Sequence, residues 1–265
     1  MNLRAFVVVT RNSVLSELEY RFNYFMWLLS SLISVAMESA ILLLAVKGRG
    51  ELGGFLETDL WKFVLIGITI RTCTGQWKVV GEGIDEVREG GFRKYLLQPV
   101  NYPTYFVARA LGDKMTITLL LLFGLAAFKY FDGPGPFLSM TAAPMFLLSF
   151  IGVNILTWQI YLMMIYGAFW IDETHFIQIA FNIGMAVFSG SLLPFTWLPE
   201  GTRQWVAFTP FQLLGDWPIR SALGRMSFEE FSFLGGQALL WMTIFSLLIW
   251  LMGRAGIRRY EAFGG

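Results

Sequence analysis

Two charged residues stand where charge is expensive. Glu38 interrupts the apolar stretch Tyr24–Val46, and Arg71 interrupts the stretch Leu60–Val80. An ionised side chain at membrane depth needs a partner or a polar path, so such residues mark either function or an ion pair. At 1.5 Å rise per residue, Glu38 lies about 12 Å from the C-terminal end of its stretch, and Arg71 about 16 Å from the N-terminal end of the next. On consecutive antiparallel helices these are similar depths, so a Glu38–Arg71 pair is expected. It would serve either as a structural ion pair joining two helices or as the polar lining of a substrate path.

Other chemistry-bearing groups are few. No Gly-rich loop ending in Gly-Lys-Ser/Thr is present, so the chain is not expected to hydrolyse ATP alone. Gly81-Glu82-Gly83 lacks the rest of a dinucleotide fingerprint and reads as a flexible span exit. A single histidine, His175, argues against a histidine-based metal site. Near Asp172 and Glu173 it reads as a solvated loop residue rather than an oriented base. Asp85 and Glu86 are adjacent on a helix and point different ways, so they form no acid–base pair. One cysteine, Cys73, excludes an internal disulfide and a multi-cysteine cluster, and among threonines at membrane depth it reads as an inert thiol. The expectation is a chain with no catalytic residue, no metal and no cofactor of its own. Asn154, Gln159 and Asn182 suit hydrogen bonds between helices.

The elements that must carry these residues are set by composition. Of 265 residues 55% are hydrophobic and 15% charged, against roughly 25% charged in a soluble domain. The net charge of +1 gives no basic field for nucleic acid. The reading is an all-α integral membrane protein, one transmembrane domain over 1–265. A spanning helix needs about 20 mostly apolar residues. Six spans follow, at about 24–46, 60–80, 111–131, 144–170, 176–198 and 236–253. The run from Phe137 to Trp170 carries no charge and is too long for one perpendicular helix, so Pro144 marks an entry turn or kink.

Residues 1–21 hold an amphipathic helix in which Leu3, Phe6, Val7, Val14 and Leu18 share a face, suited to the interface plane. The N-terminus does not read as a cleaved signal. Segment 199–235 places Trp205, Phe208, Phe211 and Trp217 among prolines. It is too apolar for a free loop and too broken for a span, so a re-entrant or interfacial hairpin between spans five and six is expected. More Lys and Arg residues, among them Arg88, Arg93, Lys94 and Arg254, fall on the side of the N-terminus than on the other, which puts both termini in the cytoplasm.

The loop after the second span mixes charge with apolar anchors. Residues 84–89 can form a short helix with Ile84 and Val87 on one side and Glu86, Arg88 and Glu89 more exposed. Gly90-Gly91 breaks it, and Phe92 and Leu96 anchor a second turn. Charges of both signs suit a specific protein contact.

Three stretches together resemble the membrane subunit of type-2 ABC (ATP-binding cassette) exporters, in particular their six-span antibiotic-type permeases. The first is Ile84-Asp85-Glu86-Val87-Arg88-Glu89-Gly90-Gly91-Phe92-Arg93-Lys94-Tyr95-Leu96-Leu97-Gln98-Pro99-Val100, where Gln98 replaces the commoner arginine and Gly91-Phe92 a more polar pair. The second is Phe188-Ser189-Gly190-Ser191-Leu192-Leu193-Pro194 with Leu198-Pro199 and Thr209-Pro210-Phe211. The third is the tail Gly256-Ile257-Arg258-Arg259-Tyr260-Glu261 with Gly264-Gly265, and Tyr166-Gly167-Ala168-Phe169-Trp170 also fits.

The resemblance implies an elbow helix at 3–20 and a coupling helix at 84–97 docking on an ATPase through Ile84, Asp85, Glu86, Val87, Arg88, Phe92, Arg93 and Leu96. It implies two cytoplasmic ATPase subunits holding ATP and Mg, and a second permease, identical or paralogous. The setting would be the bilayer of a bacterial inner membrane, with an unidentified cargo moved outward. The residues also leave open an ion-coupled secondary transporter, although Glu38 is the sole acid deep in a clear span. A non-transporting scaffold or immunity protein is the other alternative.

Overall fold

A computed structural model describes residues 2–19, 21–46, 51–52, 55–98, 100–131 and 142–260. Pro99, the start of the charge-free run at 137–141 and the tail beyond Tyr260 lie outside them. The described residues form α1 (Leu3–Glu19), α2 (Arg21–Val46), α3 (Glu57–Thr74), α4 (Trp77–Arg88), α5 (Arg93–Leu96) and α6 (Tyr102–Phe131). There follow α7 (Ala142–Gly167), α8 (Thr174–Phe188), α9 (Glu200–Ala207), α10 (Phe211–Leu214), α11 (Asp216–Ala222) and α12 (Phe228–Arg259). A two-residue antiparallel ladder, β1 (Glu51–Leu52) with β2 (Phe55–Leu56), precedes α3.

α7 is the central helix. It packs on α12, α11, α4, α3 and α8, and Val153, Leu156, Tyr161 and Ile165 are fully enclosed. α12 is its opposite: a 32-residue apolar helix whose Leu239, Leu240, Leu247 and Trp250 face outward. Apolar side chains exposed along a helix of that length have hydrocarbon as their natural solvent. By length and apolarity α7 and α12 qualify as membrane-crossing helices among the described residues, with shorter apolar helices at Ala36–Ala45 and Thr174–Phe188. Among the described residues the chain is all-helical apart from that short ladder, the architecture of a multi-pass membrane protein.

Two of the expected spans are interrupted. Stretch 60–80 is two helices, with the break at Gly75-Gln76. Thr72, Cys73, Thr74 and Gly75 are weak helix formers in a row, and Gln76 donates to the Ala110 carbonyl of α6 at 3.4 Å. Stretch 176–198 carries a single 3-10 turn at Phe195–Trp197 and is α-helical only to Phe188. There Gly190 adopts φ +78°, the left-handed conformation that ends helices, and Pro194 follows.

α1 packs on α6 through small polar residues. Gly112 of α6 lets the α1 backbone approach closely, since a Cβ there would stand 2.5 Å from the Thr10 carbonyl oxygen. Thr10 Oγ1 donates to the Ala108 carbonyl at 3.0 Å. Leu3, Val7, Val8 and Leu15 stay exposed, which leaves the apolar face of α1 free for lipid.

Candidate functional site

α4 buries one stripe, Val79, Val80, Gly83, Ile84 and Val87, at the i, i+4, i+8 spacing of one helix face. Trp77, Asp85, Arg88 and Glu89 are exposed. The helix ends at Gly90, whose φ of 84° turns the chain so that the Phe92 amide donates to the Glu86 carbonyl at 2.7 Å. Phe92 is 1% exposed. Its ring meets Tyr102 at 4.8 Å, Phe169 edge-on at 5.3 Å, Tyr95 at 5.6 Å and Tyr260 at 5.8 Å. Three stretches singled out in the sequence therefore meet at one aromatic cluster, through Phe92 and Tyr95, Phe169, and Tyr260.

The expected docking residues divide into two sets. Ile84, Val87 and Phe92 are core residues of this chain and hold the segment in place. Asp85, Arg88, Arg93 and Leu96 are exposed, and Leu97 is 75% exposed. Glu86 is occupied internally. It accepts from Lys94 Nζ at 2.7 Å and from the Tyr95 hydroxyl at 2.9 Å, and Arg109 Nη1 lies 3.9 Å away. Burial, and then Tyr105 and Glu86, push the Tyr95 phenol far above its ordinary range, so it stays a donor.

Further ion pairs tie α4 to its neighbours. Glu82 pairs with Arg109 of α6, and Lys78 with Glu17 of α1. Burial lowers the Arg109 guanidinium, with Asp113 opposing. His175, at the start of α8, meets Asp85 at 2.9 Å, a pairing across 90 residues that no local pattern signals. The outward surface therefore rests on an α4 braced to α1, α6, α7 and α8.

Arg71 Nη2 lies 2.5 Å from Glu38 Oε2, joining α2 to α3. The other carboxylate oxygen, Glu38 Oε1, and the neighbouring Ser39 Oγ are buried without partners.

A second polar cluster, not anticipated from sequence, lies between α8 and α12. Asp216 is buried. It accepts from Gln212 at 3.1 Å and has Arg220 Nη1 at 3.7 Å, while its backbone amide donates to the Ser189 carbonyl at 2.7 Å. Arg220 continues to Glu230 of α12 at 3.0 Å. Burial pushes the Asp216 carboxyl up to about 6, with Arg220 and Gln212 pulling the other way. Its best sequence signal is the i, i+4 spacing of Asp216 and Arg220. Among the described residues no group of three metal-ligating side chains gathers.

These features define a helical membrane subunit that exposes one braced, mixed-charge turn. The sequence matches the ABC-2 family transporter protein family over residues 32–264, and the chain belongs to that family, whose members are non-enzymatic permease subunits of ABC transporters. Comparison with curated proteins gives no match.

Proposed function

We propose that this chain is the membrane half of an ATP-driven exporter, crossing a bacterial inner membrane six times with both termini in the cytoplasm. Two ATPase subunits dock on the exposed face of α4–α5 at Asp85, Arg88, Arg93, Leu96 and Leu97. ATP and Mg bind in those partners. A second permease, identical or paralogous, completes the path, and an unidentified cargo is moved outward.

The observation that carries this reading is the bracing of α4. A surface that receives force must be rigid, and it must reach the elements that move. From α4 a push passes to α3 through Gly75-Gln76, to α8 through Asp85–His175 and to α6 through Glu82–Arg109. It reaches α2 through Arg71–Glu38. Within this reading that pair keeps the first two spans moving together, beside a path lined by the first, second and fifth spans.

The test is ATP hydrolysis that co-purifies with the chain from native membranes in mild detergent. An ATPase retained in defined stoichiometry supports the exporter. Its absence under every mild condition supports an ion-coupled secondary transporter or a scaffold instead.

A further inference from the structure

α1 and α6 leave an apolar groove of about 370 Å3 between them, lined by Phe6, Val7, Val14 and Leu15 of α1 and by Met115 of α6. That volume falls within the range of ligand clefts, about 300–1,000 Å3. Thr10 is the one uncharged polar residue in the lining, and its hydroxyl is occupied, shared between the Phe6 and Ala108 carbonyls at 3.0 Å each. The floor is therefore apolar in effect, and any polar recognition must come from the rim.

The rim carries a cation. Arg11 is the one charged residue in the lining, and it is exposed. Between Leu3 and Leu15 the sole other charged residue of α1 is Arg4, also exposed. Among the described residues neither arginine forms an ion pair. Leu3, Val7, Val8 and Leu15 are exposed around them. An outward helix face that joins apolar side chains to positive charge alone suits the boundary of a bilayer, where methylenes and phosphates are adjacent. An arginine there can lay its methylenes along an apolar surface and keep its guanidinium among the headgroups. A guanidinium offers phosphate paired N–H donors.

We propose that the α1–α6 groove is a site for one anionic phospholipid. An acyl chain lies against Phe6, Val14 and Met115, and Arg11 holds the headgroup phosphate at the rim. Arg4 stands seven residues away, about 10 Å along the helix, beyond the screening length of about 8 Å at physiological salt. The site therefore depends on Arg11 and not on Arg4. The proposal needs only the membrane setting and does not rest on the export reading.

The test uses the purified, delipidated full chain at physiological ionic strength and two probes of matched chain length, phosphatidylglycerol and phosphatidylcholine. Phosphatidylcholine carries the same phosphate beside a quaternary ammonium, so its net charge is zero. One-to-one retention is read by native mass spectrometry. The wild type should hold phosphatidylglycerol about fivefold more tightly, the effect of one basic residue beside an anionic headgroup. Arg11→Gln should bring phosphatidylglycerol down to the level of phosphatidylcholine. Arg4→Gln should leave the preference in place. Met115→Trp, which fills the groove from an exposed position, should weaken retention of both lipids.

Equal retention of the two lipids by the wild type overturns the proposal, and so does a preference that survives Arg11→Gln. An equal loss with Arg4→Gln would mean a diffuse surface charge rather than a site. Undiminished retention by Met115→Trp would place the chain outside the groove. A change in oligomeric state with no change in lipid would mean that a second copy covers it. Should Met115→Trp fail to fold, the comparison of Arg11→Gln with Arg4→Gln decides.

Discussion

The turn at α4–α5 and the segment between α8 and α12 sit at opposite ends of α7 and hold their charges in opposite ways. Around Glu86 the ion pairs are many and part-exposed, and they link α4 to four other helices. Each such pair contributes little to stability. Their common effect is to fix the position of α4 while leaving Arg88, Arg93 and Leu97 outward. Around Asp216 one carboxylate is enclosed, with a single arginine at 3.7 Å. There burial outweighs the arginine, and the backbone is clamped where a Cβ on Gly215 would stand 2.6 Å from the Ser189 carbonyl oxygen. One end turns charged and apolar side chains outward, and the other is closed by packing.

Substitutions can break this contrast, and the largest effects belong to the buried groups. Phe92→Ala should cost about 3–5 kcal/mol, the range for emptying an enclosed aromatic site, and should be read as a large fall in the unfolding temperature of the detergent-solubilised chain. An unchanged temperature would mean that the turn is not anchored by its aromatic cluster. Arg71→Met leaves the buried Glu38 carboxyl without its partner and should cost about 3–5 kcal/mol. Adding Glu38→Gln should recover a good part of that loss. If the double variant is no better than the single one, the two residues do not act as a pair.

The closed end should show its burial as pH dependence. The Asp216 carboxyl titrates near 6 in the folded chain against 3.8 ordinarily, so the folded state holds the proton more tightly. That contribution is fully present below about 3.8, and it is lost as pH rises through about 6. Asp216→Asn should flatten the unfolding temperature across this window, an effect on the order of 2–3 kcal/mol for two pH units. A slope that survives the substitution would assign it elsewhere. The smallest effect sits at the open end: Leu97→Ser should change stability by less than about 0.5 kcal/mol, measured by the same thermal unfolding.

Much of the architecture is legible in the sequence because apolar length and helix rise are one-dimensional quantities. Composition alone makes the chain a helical membrane protein, and 1.5 Å per residue is enough to set Glu38 and Arg71 at one depth. The breaks at Gly75-Gln76 and Gly190 are harder to read, since apolar residues run straight through both and hydropathy does not register a change of direction. The site is less legible still. Mixed charge sets 84–97 apart from the spans, yet which face is outward depends on tertiary neighbours. Tyr95, Arg109 and His175 reach Glu86, Glu82 and Asp85 only once α5, α6 and α8 are folded around α4. Glu86 therefore reads as a docking residue from sequence and is an internal hub in the structure.

The most direct test of the account is recovery of an ATPase subunit with this chain from native membranes, comparing wild type with Arg88→Glu plus Arg93→Glu. Both arginines are exposed, so the variant should fold and elute as the wild type does. The account predicts that the wild type brings down the ATPase and that the charge reversal loses it. Undiminished recovery with the reversed charges would contradict the placement of the docking surface on α4–α5.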